Sequence, residues 1–207
     1  MGRILSTIFL LYAAIIFIAL MFVALPFVLL FSAILPLNTG KRAILIVLRT
    51  WAWLFSILSL FWVRTKNKEI VDLNKSHIYV GNHGSYLDAM AVCLSIPQYF
   101  SALGKVEITK VPVFGLIYKR IVVLIDRSSK ESREQSVNAL KKDITNGQSI
   151  LIFAEGTMNQ TEKPLTDFYD GAFRIAIETQ TPIIPFVMIN NRKLLPRNHP
   201  LKARPGI

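Results

Sequence analysis

From Ile4 to Gly40 the chain carries no charged side chain, and no other stretch constrains the fold as much. About 20 apolar residues are enough for a helix to cross the hydrocarbon of a bilayer, and a chain of 207 residues has little interior in which to hide a longer run. Arg3 followed by apolar residues is also how a signal peptide begins. The run continues far past a signal core of about 7–15 residues, however, and no small-residue cleavage site stands out, so it reads as a retained anchor. Pro26 and Pro36 are expected to kink or end helices here, and Asn38-Thr39-Gly40 to break the run. A second apolar stretch, Ala43 to Val63, contains Arg49 and the tryptophans Trp51, Trp53 and Trp62. Tryptophan favours the headgroup level, and a mid-helix arginine is costly in hydrocarbon unless it snorkels. This stretch therefore reads as a helix lying in one leaflet, with two ordinary spanning helices as the alternative.

The charge distribution supports a membrane partner. Net charge is +11, and because no acid precedes Glu69, residues 1–68 hold +7 of it and the remainder +4. Cation beside apolar segments attracts anionic headgroups. No aromatic-studded basic stripe or nucleic-acid-binding module is present, so the expected partner is a phospholipid membrane and not nucleic acid. Arg64, Lys66 and Lys68 mark the exit to the aqueous side, which the positive-inside rule identifies as the cytoplasm. Residues 1–63 are read as an N-terminal helical membrane anchor and 64–207 as the catalytic domain. The single cysteine, Cys93, allows neither an internal disulfide nor a multi-cysteine zinc site. It reads as a small core residue.

Beyond the anchor, short apolar runs alternate with helix-like segments. Strands are expected at 77–81, 99–103, 120–125, 149–153 and 183–188. The run from Arg120 to Ile125 is nearly all β-branched, as in a strand buried on both faces. Helices are expected from Ser85 to about Ile96, after Pro112–Gly115, from the capping-box pattern Ser128-Ser129-Lys130-Glu131 to Asn146-Gly147, and over 171–179. This alternation predicts an α/β fold, a mostly parallel sheet flanked by helices, with the two-helix anchor at its N-terminus.

The chemistry concentrates in Asn82-His83-Gly84-Ser85-Tyr86-Leu87-Asp88. Histidine takes protons near neutral pH, and a carboxylate on its far nitrogen fixes the tautomer and stabilises the cation. Residues five apart on one helix lie roughly 140° from each other, too far to bond. The pair meets only if His83 sits in a strand-exit loop and Asp88 in the first turn of the next helix, where a carboxylate also suits the helix dipole. His77 starts a strand without a spaced carboxylate and reads as structural. A second constellation, Phe153-Ala154-Glu155-Gly156-Thr157, follows a later strand.

With these two motifs in order, the chain resembles the glycerolipid acyltransferases of the 1-acylglycerol-3-phosphate (lysophosphatidate) type. Their first signature, H-x-x-x-x-D, is matched by His83 and Asp88, and their third, F-P-E-G-T-R, by Phe153 to Thr157. Gly104-Lys105, Pro112, Gly115 and Arg127 fit the second signature, and Pro182-Ile183-Ile184-Pro185 the fourth. The resemblance covers Ile78 to Val187. It implies transfer of a fatty acyl group from acyl-CoA or an acyl-carrier-protein to the free hydroxyl of a lysophospholipid acceptor, with no cofactor, and an N-terminal helical pair seated on one leaflet. The arrangement is in keeping with a bacterial inner membrane and a cytoplasmic catalytic domain. Arg204-Pro205-Gly206-Ile207 resembles the start of a further strand the family carries, as though the chain were C-terminally truncated.

In this reading His83 is the general base and Asp88 orients it. The substrate-binding candidates are Asn82, Lys105, Arg127, Glu155, Gly156 and Thr157. Arg127 and then Lys105 suit the acceptor phosphate, backbone donors at Gly156-Thr157 suit a phosphate or oxyanion, and Glu155 orients an acceptor hydroxyl or pairs with a cation. Three positions depart from the family pattern. Ala154 replaces the usual proline, Met158 the usual arginine, and Asp170 a residue that is commonly basic. The last two loosen the tie to lysophosphatidate and admit another lysophospholipid. Two other classes compete: a metal-dependent hydrolase, for which a second spaced histidine is missing, and a non-catalytic lipid-binding protein of the membrane surface.

Overall fold

Alternate residues of the central strands go to opposite sides of one sheet, as the two-residue repeat of an extended chain requires. In the computed structural model, which describes residues 2–207, the strands are β1 (Ile78–Gly81), β2 (Phe100–Lys105), β3 (Val122–Ile125), β4 (Ser149–Ile152) and β5 (Ile183–Phe186). All pair in parallel, in the order β3-β2-β4-β1-β5. The helices are α1 (Arg3–Ile34), α2 (Leu37–Leu58), α3 (Asp88–Ser95), α4 (Phe114–Tyr118), α5 (Lys130–Thr145), α6 (Gly171–Thr179) and α7 (Asn191–Leu194).

Ile78, Val80, Ile150 and Ile152 pack with Leu140 and Ile144 of α5 and with Ala172 and Ile175 of α6. On the other face Tyr79 and Leu151 meet Leu45 of α2, Val92 of α3, Ile96 and Phe100. Each fully buried aliphatic side chain contributes about 1.5–3 kcal/mol, so the two layers together fix the register. Strand β3 departs from the expectation of burial on both faces. It is an edge strand, and three of its four residues are only half-buried. Its β-branched run reflects strand propensity, not a central position.

The N-terminal helices pack on each other and on the domain. Pro26 lies inside α1, which runs on without ending, while Pro36 stands at the turn into α2. The expected break at Asn38-Thr39-Gly40 is instead the first turn of α2, where Gly40 lies close to the Phe31 carbonyl. The 32 residues of α1 give a length of ~48 Å. It is the one described helix long and apolar enough to cross a membrane. One narrow stripe of α1, including Ala13, Met21, Ala24 and Val28, is buried, whereas Ile4, Ile8, Leu11, Ile15, Phe22 and Val23 are among the apolar side chains left exposed. Such a face is stable against lipid and costly against water.

Arg49 on α2 is directed onto the α/β domain. Its Nη2 donates to the carbonyls of Ile96 (2.7 Å) and Gln98 (2.9 Å), placing a cation at the negative end of α3. Trp51 likewise belongs to the protein interior, stacked on Phe55, while Trp53 and Trp62 are exposed. The last residues add no strand to the sheet. Gly206 forms an isolated bridge with Phe61, just after α2.

Candidate functional site

Apart from Asp88, which opens α3, every expected site residue lies at or just beyond the C-terminal end of a strand: Asn82 and His83 after β1, Lys105 at the end of β2, Arg127 after β3, and Glu155 to Thr157 after β4. Open parallel sheets place their ligands at this edge.

His83 and Asp88 meet there. His83 Nδ1 is 2.8 Å from Asp88 Oδ2. The same oxygen accepts the backbone N–H of Gly84 (2.8 Å) and of Ser85 (3.0 Å), and Oδ1 accepts Asn191 Nδ2 (2.9 Å). Asp88, with its side chain 1% exposed, is thus a carboxylate whose charge is met by four donors. Bonding at Nδ1 leaves Nε2 as the ring nitrogen with the available lone pair. The ring stacks on Phe153 with centroids 4.2 Å apart, and its side chain retains 22% exposure.

The junction differs in detail from the expected one. Helix α3 begins at Asp88, and Ser85 does not cap it. Ser85 is fully buried, with Oγ accepting from the Leu87 N–H and donating to the Leu195 carbonyl. The loop is closed by the Asp88 carboxylate reaching back over it, so one side chain both folds the turn and orients the imidazole. Leu87 and Met90, on either side of Asp88, are buried in the same cluster as Trp51, Phe55 and Phe61, which seats the loop directly on the N-terminal helix pair.

The remaining candidates divide into two groups. Asn82 and Glu155 are occupied within the protein. Asn82 Nδ2 donates to the Met188 carbonyl and its Oδ1 accepts the Met188 N–H, clamping the exits of β1 and β5. Glu155, 2% exposed, accepts the His83 N–H (2.8 Å) at one oxygen and the N–H and hydroxyl of Thr166 (both 2.8 Å) at the other. It pairs with no cation and instead holds the His83 backbone. The expected amide donors are also engaged, since Gly156 N–H donates to Phe153 O and Thr157 N–H to Glu155 O. The tightness of that turn requires Gly156, with φ +68°, where a Cβ would fall 2.7 Å from the Tyr169 ring.

Side-chain cations gather at the same turn. Lys105 Nζ donates to Thr157 Oγ1 (3.3 Å), and Arg127 Nη1 lies 3.3 Å from where a Gly156 Cβ would be. The Lys105 ammonium is held below the usual lysine range, by burial first and then by Arg127.

Asn191, Phe153 as a stacking partner and Asn159, whose N–H donates to the His83 carbonyl (2.6 Å), were not expected. Asn191 lies 103 residues from Asp88, and no periodicity or spacing connects positions so far apart. Burial pushes the Cys93 thiol up to about 12, against the opposing charge of Arg49, which leaves negligible thiolate near neutral pH. No group of three or more His, Cys, Asp or Glu among the described residues is placed to hold a metal ion.

Comparison with known proteins places the chain. The family described as Acyltransferase matches residues 62–189. A 1-acyl-sn-glycerol-3-phosphate acyltransferase of Cocos nucifera is 33% identical over 139 residues, 64% of this chain and 43% of that protein. The protein of the same name from Haemophilus influenzae is 28% identical over 139 residues, 65% of this chain and 58% of its own. An uncharacterized acyltransferase of Schizosaccharomyces pombe is 34% identical over 131 residues, 62% of this chain and 47% of its own. The chain thus spans about half the length of the curated relatives it matches. The crystal structure of the 1-acyl-sn-glycerophosphate (LPA) acyltransferase PlsC from Thermotoga maritima shares the fold, with TM-score 0.65 and 19% identity over 88% of this chain and 72% of that one. With its strand-edge histidine and carboxylate inside the matched segment, this chain belongs to the acyltransferase family.

Proposed function

We propose that this protein transfers a fatty acyl group from acyl-CoA or an acyl-carrier-protein to the free hydroxyl of a lysophospholipid, with 1-acylglycerol-3-phosphate as the leading acceptor and phosphatidate as its product. The observation that carries this reading is the imidazole held through Nδ1 by a buried, four-times-bonded carboxylate, beside cations that fit a phosphate. An alcohol needs a base as it attacks. His83 Nε2 takes the hydroxyl proton while the oxygen adds to the thioester carbonyl. Collapse of the tetrahedral adduct breaks the carbon–sulfur bond, and the proton on His83 is available to the departing thiolate. Asp88 orients the ring and stabilises the imidazolium, as in a His–Asp pair that serves a nucleophilic serine. Here the substrate supplies the oxygen, so neither Ser85, bonded and buried, nor Cys93, kept as a thiol, is required.

The exposed apolar face of α1 and the basic residues flanking the helix pair support seating at a membrane with the sheet edge on the cytoplasmic side. Met158 and Asp170, where the family is commonly basic, admit a second acceptor class, another lysophospholipid. Purified protein in detergent, given labelled acyl-CoA and acyl-carrier-protein against a panel of lysophospholipids, tests both. Release of free thiol with matching formation of diacyl lipid is the expected result, and lysolipid binding without consumption of thioester would leave only the non-catalytic reading.

A further inference from the structure

The loop after β4 has lost the cation its family places after the threonine, yet the structure brings another to the same spot from elsewhere in the chain. Arg197 belongs to the basic segment beyond α7, and its Nη1 donates to the carbonyl of Met158 at 3.1 Å. Its guanidinium therefore rests on the residue that replaced the arginine. Two further cations meet this turn: Lys105, bonded to Thr157, and Arg127, beside Gly156. Among the described residues none of the three forms a salt bridge, since the ion pairs present are Lys75–Asp72, His83–Asp88, Lys130–Glu134 and Lys141–Glu178. Both arginines lie close enough to Lys105 to help depress its ammonium pKa. The Glu107 carboxylate opposes them at Lys105 without forming an ion pair there, so the crowded like charges still disfavour one another and are relieved by an anion.

We propose that Arg197 is the third member of the acceptor-phosphate site, standing in for the cation absent at Met158 and acting with Lys105 and Arg127. This rests on the acyltransferase reading above and deepens it. The phosphate of a lysophosphatidate, a doubly charged monoester, suits three cations, two of them planar forks. One bond to the Met158 carbonyl leaves the other donors of Arg197 available to a ligand. The neighbouring Arg192 serves differently, since its Nη1 donates to the Lys163 carbonyl and its stem packs beside Gly84.

The test is steady-state kinetics of the full chain in detergent, with lysophosphatidate varied at saturating thioester and then the converse. Arg197→Ala is expected to raise the acceptor KM roughly tenfold or more, the loss ordinary for a hydrogen bond to a charged group, with kcat and the donor KM within about twofold of wild type. Moving the cation back, in Arg197→Ala combined with Met158→Arg, should recover most of the acceptor affinity, which a merely structural role for Arg197 would not produce. Arg197→Lys, keeping charge without the fork, should fall between and stands in if the alanine variant is unstable. An unchanged acceptor KM, or an equal rise in the donor KM, overturns the assignment. Thermal protection by sn-glycerol 3-phosphate provides a readout independent of turnover. Protection of wild type that is lost in Arg197→Ala and regained in the double variant supports the site even if no lysolipid is acylated, whereas equal protection of all three refutes it.

Discussion

Two histidines bracket the same strand and do opposite things. His77 precedes β1 at the N-terminal edge of the sheet, 4% exposed, its Nδ1 3.0 Å from Gln98 Oε1. That oxygen also accepts from Tyr79 and Ser149, and the Gln98 amide donates to the carbonyls of Leu73 and Lys75. His83 follows β1 at the other edge, bonded to a carboxylate, with its second nitrogen free and its ring partly open. One imidazole is enclosed in a network centred on an amide oxygen, and the other faces a carboxylate and leaves a ring nitrogen unbonded. The difference arises from partner and position, because strand C-termini open onto a cleft while their N-termini are packed shut.

The contrast breaks most sharply at His83. His83→Ala should lower turnover of lysolipid and thioester by about 10³-fold or more, within the range of acid–base catalysis, while membrane association persists, since α1 and α2 are untouched. Comparable turnover by both proteins in the same detergent assay would erase the distinction between the two histidines. Asp88→Asn comes next, with an expected loss of about 10²–10⁴-fold. An amide can accept on one side only, so its NH2 would face either the Gly84 and Ser85 N–H groups or the Asn191 NH2. The loop should loosen as the tautomer is lost, which a fall in melting temperature would record alongside kcat. Asn191→Ala removes a single donor from a carboxylate that keeps three, and about a tenfold fall in kcat is expected.

Of this arrangement, the sequence made legible whatever local spacing could encode. The five strands, the parallel α/β class and the meeting of His83 with Asp88 follow from apolar runs, turn residues and a five-residue interval. Boundaries failed where tertiary contacts overrode local signals. Asn38-Thr39-Gly40 looks like a break and is helix, because α1 and α2 pack closely enough to use a glycine there. Arg49 looks like a membrane liability and is a cap for α3. The roles of Glu155 and Asn82 were hidden for a different reason. A motif shows which residues stand near the chemistry, but not whether their polar atoms face a ligand or fasten two loops. Asn191 and Arg197 reach the site only through the order of strands in the sheet, which no pairwise spacing reveals.

The smallest kinetic effect should come from the histidine that is more deeply buried. His77→Ala deletes a ring from the Gln98 network and leaves a small cavity at the closed edge of the sheet. Gln98 Oε1 keeps Tyr79 and Ser149 as donors, so the loss is that of one buried hydrogen bond and its packing, about 1–3 kcal/mol of stability. Once folded, the variant should acylate within about twofold of wild type, because the Asp88 network lies at the far end of β1 and shares no side chain with this one. Chemical denaturation and kinetics on the same preparation separate the two quantities. A lowered midpoint with unchanged kcat assigns stability to one edge of the strand and chemistry to the other, whereas a matching loss of kcat would mean that the β1 backbone couples the two ends.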